Sequence, residues 1–304
     1  MQFAPFLKSG DKVGIASPAR RVSPEEMAPA IASLQEWGLV PVLGDHLFGV
    51  CKQFSGTDAE RRTDIQRMID SPEIKAIFFS RGGYGCLRIV DQLDFSGLRR
   101  HPKWIVGFSD LTAFAGAISN EGVASIHGPM CISWNGKTSD AIARGHLREL
   151  LMGKVPSYAY VPADPGMVLT GKATGRLLGG NLSLISQMIG TPDAFHTEGS
   201  ILFIEDIDEY LYHIDRMMIH LRRSGMLDRL AGLIVGGFTD LKDNDVPFGY
   251  TVEEIVRDAV GDCNYPVCFG FPAGHLPSNY PLVIGAMATL SVSHSLVELQ
   301  MELA

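Results

Sequence analysis

With 304 residues, 46% of them hydrophobic and 20% charged, the chain can bury one large core or two medium ones and is too apolar to stay disordered. Its net charge of −8 argues against a nucleic-acid partner, because phosphate binding needs a basic face. No apolar run nears the roughly 18 residues of a membrane helix, and the first twelve residues lack the basic-then-apolar order of a signal peptide, so neither a membrane partner nor export is expected.

The first half alternates short apolar runs with helical patterns. Strands are expected at 12–17, 39–43, 76–80, 104–109 and 124–127, and helices at 24–37, 58–70, 86–93, 110–120 and 140–151. Strands that are apolar throughout and separated by helices indicate a parallel sheet covered on both faces, with functional loops at the strands' carboxyl ends. Residues 1–155 therefore read as a doubly wound α/β domain. A Pro- and Gly-rich stretch without helical period, 156–172, reads as a linker. Residues 173–304 read as a second domain, with strands at 175–180, 201–204, 233–237, 282–284, 288–292 and 296–301. Its clearest helix spans 210–223, where Leu211, Ile214, Met218 and Leu221 recur at helical spacing as core packing.

The five cysteines are odd in number and scattered without CxxC spacing. They make neither a disulfide framework nor a zinc site, and point to a reducing cytoplasm in which they serve as small buried apolar residues. The basic pairs Arg61-Arg62, Arg99-Arg100 and Arg222-Arg223 read as solvated faces.

Chemistry is concentrated in four places. In Gly107-Phe108-Ser109-Asp110-Leu111 an apolar strand ends and a serine follows just before a helical pattern. Such a turn lifts a nucleophile above the sheet edge and supplies half an oxyanion hole; the alternative is that Ser109 or Asp110 merely caps the helix. The hydrolase elbow GxSxG is incomplete, since Leu111 stands where its second glycine belongs. The loop Ser80-Arg81-Gly82-Gly83-Tyr84-Gly85 closes the preceding strand. Its glycines can aim N–H groups at negative charge, and Arg81, with Tyr84, can receive a substrate carboxylate through a fork of two hydrogen bonds. It matches neither GxGxxG nor GxxxxGK[ST], so no nucleotide cofactor is expected.

A serine needs a base, and the base an orienting acid. His275 lies in a Gly- and Pro-rich loop after the apolar run 267–269, whereas His213 and His220 sit on a helix and His127 follows a strand. Glu205 ends the buried-type strand 201–204, ahead of Asp206, Asp208 and Glu209. Asp208 and Glu209 are expected to charge the first turn of the following helix. A metal held by His213 and Asp215 is disfavoured, because residues two apart on a helix do not share a face.

Seven segments together resemble the LD-carboxypeptidase family, serine peptidases of murein peptides that include the microcin C self-immunity hydrolases. They are VGIASPA (13–19), SRGGYG (80–85), GFSDLTA (107–113), HGPM (127–130), GRLLGGNLSLI (175–185), FIEDIDE (203–209) and GHLPSNYPLVIG (274–285). The resemblance implies a flavodoxin-like amino-terminal domain and a smaller mixed α/β carboxyl-terminal domain, with the active site in the cleft between them. It further implies a catalytic triad of Ser109, Glu205 and His275, and an oxyanion hole formed by Asp110 and the Gly82-Gly83 loop. No metal or cofactor, a murein peptide substrate and a homodimer complete the expectation. Within the same fold, cleavage of peptidyl or aminoacyl adenylate analogues is the alternative, for which Trp134 and Phe108 are the candidates to stack on adenine. From another class, a non-catalytic protein could hold an anion in the glycine loops.

Overall fold

Alternating apolar and helical stretches become β1 (Lys12–Ala16), α1 (Pro24–Glu36), β2 (Val40–Leu43), α2 (Asp58–Asp70) and β3 (Ile74–Phe79) in the computed structural model, which describes residues 1–134 and 141–303. A four-residue α3 (Gly97–Arg100), β4 (Trp104–Gly107), α4 (Thr112–Asn120), β5 (Ser125–His127) and α5 (Ala141–Leu151) follow; Asp140, the first residue of the expected last helix, lies outside the described residues. The starts of α1 and α2 are set by reciprocal capping boxes, Ser23 with Glu26 and Thr57 with Glu60. At its other end α2 is closed by buried Lys103, whose ammonium donates to the carbonyls of Met68, Ile69 and Ser71 at 2.8, 2.7 and 2.6 Å. The helix expected over 86–93 is instead two 3-10 turns, Cys86–Arg88 and Val90–Gln92, because Ile89 between them is buried with a non-helical φ of −130°.

The second half contains β6 (Ser157–Tyr160), β7 (Gly171–Asn181), α6 (Leu182–Met188), β8 (Ser200–Ile207), α7 (Leu211–Arg223), β9 (Gly232–Thr239), α8 (Val252–Val260), β10 (Val267–Cys268), β11 (Leu282–Ile284), β12 (Met287–Val292) and β13 (Val297–Glu302). Ile214, Met218 and Leu221 of α7 are fully buried, and each such burial stabilises by about 1.5–3 kcal/mol.

Two compact units divide the chain: Met1–Val155 with Pro277–Gly285, and Pro156–Leu276 with Ala286–Leu303. The sheet of the first runs β11-β5-β4-β3-β1-β2, all parallel except β11. The order 2-1-3-4-5 is that of a flavodoxin-like doubly wound sheet, whose ligand loops gather at the carboxyl ends near the β1/β3 switch point. The second unit is a mixed sheet, β10-β9-β8-β7-β12-β13-β6, parallel from β10 to β7 and antiparallel beyond.

Two further segments differ from expectation. Residues 156–172, read as a linker, lie in the second unit and carry β6, which pairs with β13 and buries Tyr158 against the Phe271 ring. The strand at 282–284, read as part of the second domain, is β11 of the first sheet, where Leu282 pairs with His127. Leu282, Val283 and Ile284 are buried there and cover the otherwise open edge of β5. No helix among the described residues is long and apolar enough to cross a membrane.

Candidate active site

Ser109 stands at the carboxyl end of β4, the first residue of a 3-10 turn (Ser109–Leu111) that leads into α4. Its φ is +62°, a left-handed value that costs a non-glycine residue about 1–3 kcal/mol. The cap positions are Phe108 for the turn and Leu111 for α4, so Ser109 occupies neither. Leu111 accounts for the incomplete elbow motif: its side chain folds back over Gly107, where a Cβ would stand 2.8 Å from Leu111 Cγ. The glycine that gives way to the turn is therefore the one before the serine, and position 111 holds a buried apolar anchor.

The Gly82-Gly83 loop lies beside this elbow. A Cβ on Gly82 would stand 3.4 Å from the Asp110 nitrogen and 3.3 Å from its Cβ. The Asp110 carboxylate, 2% exposed, accepts the Cys86 N–H at 2.8 Å and so ties the loop's far end to the serine turn. Burial raises its pKa against the lowering pull of the Cys86 bonds. A second brace is Arg61, 1% exposed, which donates to the carbonyls of Pro18 after β1 and Gly85 after β3, the latter at 3.1 Å, and pairs with Asp58. It thereby joins the two loops that diverge at the switch point. The reading of Arg61-Arg62 as a solvated pair is corrected for Arg61, and the signal was present: 61, 65 and 68 fall on one stripe of α2 with Ile65 and Met68.

In the second unit β8 carries Glu205 to 0% exposure. The β8–β9 register shifts between Ile204 and Asp206, and such a bulge re-aims the residue it contains. Glu205 Oε2 lies 2.6 Å from His275 Nδ1 and accepts the His275 main-chain N–H at 3.1 Å. Placing the proton on Nδ1 leaves Nε2 as the acceptor, the tautomer a general base requires. Burial opposes protonation of His275, but Glu205, with smaller help from Asp206 and Asp240, prevails and raises its pKa above the ordinary value. Asp206, to which the sequence assigns no role of its own, is 2% exposed and pushed up to about 7 by burial and then by Glu205; it accepts from Asn181, Ser183 and Ile207. The histidine loop is pinned by Gly237 N–H to Ala273 O at 2.9 Å and by Thr239 Oγ1 to His275 O at 3.1 Å.

The other candidates have local duties. His127 is buried in β5 against the Phe108 ring, His213 pairs with Glu209 at 2.8 Å, and His220 meets Ser186 Oγ at 3.0 Å. Asp208 pairs with Lys242 at 2.6 Å; it and Glu209 do not charge the start of α7, whose first turn has no acidic residue. Trp134 is 1% exposed between Trp37 and Phe78, a core wall rather than a surface for a base. Burial pushes the Cys131 and Cys268 thiols up to about 12, which leaves them inert at neutral pH. Arg81 is half-buried and Tyr84 exposed, its ring 6.1 Å from that of Phe54. Among the described residues no three His, Cys, Asp or Glu side chains are grouped to hold a metal ion.

Comparison with known families assigns the chain to the peptidases: residues 13–128 match the LD-carboxypeptidase N-terminal domain and residues 174–290 the LD-carboxypeptidase C-terminal domain. A probable murein peptide carboxypeptidase of Bacillus subtilis is 34% identical over 94% of this chain and 91% of its own length. The murein tetrapeptide carboxypeptidase of Pseudomonas aeruginosa is 27% identical over 92% of each. Among solved structures, the muramoyltetrapeptide carboxypeptidase of Oxalobacter formigenes superposes with a TM-score of 0.87 at 29% identity, covering 95% of this chain and 98% of that one. The microcin C7 self-immunity protein shares the fold, with a TM-score of 0.87 at 21% identity over 99% of each chain. The chain belongs to the LD-carboxypeptidase family.

Proposed function

We propose that the chain is a serine LD-carboxypeptidase that releases the terminal D-alanine of murein tetrapeptides. The observation that carries this reading is the left-handed Ser109 at the end of β4, a strained position that capping does not explain. The murein relatives support the substrate class. In the proposed mechanism Ser109 Oγ attacks the carbonyl at the L-centre that precedes D-alanine, and His275 Nε2 takes the hydroxyl proton. Glu205 holds the Nδ1 proton and stabilises the imidazolium. The N–H of Asp110 and those of the Gly82-Gly83 loop receive the oxyanion, each worth on the order of 2.7–4 kcal/mol of barrier. The C–N bond then breaks, Nε2 returns its proton to the departing amine, and water attacks the acyl-serine by the same path. Arg81, with Tyr84, takes the terminal carboxylate.

This reading includes a cytoplasmic homodimer that uses neither metal nor cofactor; the five free thiols favour a reducing compartment, and sedimentation tests the dimer. Mass spectrometry of a murein tetrapeptide incubated with wild type and with Ser109→Ala tests the reaction. Loss of one alanine is expected with the first and none with the second. An intact tetrapeptide alongside a cleaved aminoacyl sulfamoyl-adenylate would move the chain to the alternative substrate.

A further inference from the structure

A cavity of about 650 Å³ opens in the first unit beside the glycine loop, and three of its walls are Arg20, Arg21 and Arg81. None of these three guanidinium groups forms an ion pair among the described residues, whereas Arg61, Arg67 and Arg88 each hold a carboxylate. The carboxylate on the cavity wall, Glu26, is committed to the capping box of α1, where it accepts the Ser23 N–H at 2.8 Å. The arginine backbones are held in place: Arg20 bridges to Phe54, and Arg21 N–H donates to Gln53 O at 3.0 Å. The Arg20 stem lies across the glycine loop, so that a Cβ on Gly83 would stand 2.7 Å from Arg20 Cδ and 2.9 Å from its Nε. From Arg20 the contacts run through Gly83 and Gly82 to the Asp110 nitrogen and the serine turn.

We infer that Arg20 and Arg21 form a second anion subsite, taking a carboxylate that the peptide carries upstream of the scissile bond. Resting on the carboxypeptidase reading, this leaves the terminal carboxylate to Arg81. Guanidinium forks recognise carboxylates bidentately and favour them over a substrate that lacks one, because the paired charge-assisted hydrogen bonds are then not made. For a murein peptide the distinguishing group is the side-chain carboxylate of a diaminopimelate residue, which lysine in the same position lacks.

The test compares two tetrapeptides that differ only there, with diaminopimelate or lysine as the third residue. Wild type is expected to favour the diaminopimelate peptide in kcat/KM by tenfold or more, mainly through KM. Arg20→Gln and Arg21→Gln are expected to bring that ratio towards one, with Arg20→Lys, which keeps the charge and the stem over Gly83, in between. A ratio unchanged in both Gln variants, or a wild type indifferent to the two peptides, would overturn the inference while leaving the reaction intact. If wild type cleaves neither peptide, the carboxypeptidase reading fails, and calorimetric titration with the tripeptide ending in diaminopimelate decides the subsite separately. Weaker binding by Arg20→Gln then supports it, and equal binding refutes it.

Discussion

Gly274→Ala is the sharpest probe of the Glu205–His275 pair. Gly274 has φ +106°, and a Cβ there would stand 2.7 Å from Glu205 Cβ, 2.8 Å from Oε2 and 2.9 Å from Cγ. The left-handed backbone alone costs an alanine roughly 1–2 kcal/mol. The overlap adds about 1–3 kcal/mol, the usual penalty for overpacking, because neither side can yield freely. Glu205 is 0% exposed with Oε2 on His275, and Ala273 and His275 on either side are hydrogen-bonded to β9 and its end. A total loss of about 2–5 kcal/mol in urea unfolding is therefore expected. Displacing the carboxylate by even an ångström releases the imidazole, for which a fall in kcat of about 10²-fold or more is expected. Gly261→Ala separates the two contributions: Gly261 also has positive φ, +54°, but nothing lies within 4 Å of its Cβ position. That control should lose only the backbone share and keep its kcat. If Gly274→Ala retains kcat within threefold and unfolds like the control, the Glu205–His275 contact does not govern catalysis.

Four further outcomes rest on the braces and charges. Activity should rise with pH through a value above 6.5, since His275, as the proposed base, must be neutral; Asp206→Asn, which removes a charge that helps raise it, should move that limb to lower pH in a kcat/KM profile. Because Asp206 ionises near 7 in the folded chain against 3.8 unfolded, the unfolded state loses its proton first, so wild-type stability falls between those values and the Asn variant should lack that slope. Arg61→Met strips the Pro18 and Gly85 carbonyls of their buried donor and should cost about 1–3 kcal/mol for each carbonyl by urea unfolding, with a parallel loss of kcat as the glycine loop loosens. Lys103→Met should cost about 1–3 kcal/mol by leaving the end carbonyls of α2 unpaired while kcat holds.

The parallel sheet of the first unit was legible because strands buried on both faces read as unbroken apolar runs. Ser109 and Glu205 were legible for a related reason: each is the polar residue with which such a run stops. The left-handed turn at Ser109 was not, since GxSxG failed at Leu111, and only the packing of Leu111 over Gly107 shows why leucine serves there. The sequence places Asp206 beside Glu205 but does not separate their duties, because a bulge, which local pattern does not encode, gives the two neighbours different surroundings. β11 escaped for a broader reason. Its three apolar residues mark a strand but carry no information about which edge it will join, and its partner lies more than 150 residues upstream. Arg61 was readable from helical periodicity, had the apolar stripe been weighed above its charge.

The route of β11 ties activity to the order of synthesis. The sheet that carries Ser109 is closed by a strand that leaves the ribosome after His275, so every residue of the proposed triad is translated before that sheet has its last member. A chain arrested between β10 and β11 would present β5 as a bare edge, open to pairing with a neighbouring nascent chain. Neither unit can be excised as one continuous stretch, because the first needs Pro277–Gly285 and the second resumes at Ala286. Division at residue 155 would thus leave the amino-terminal fragment without β11, while the carboxyl-terminal fragment would keep all seven strands of its own sheet and carry β11 without a partner.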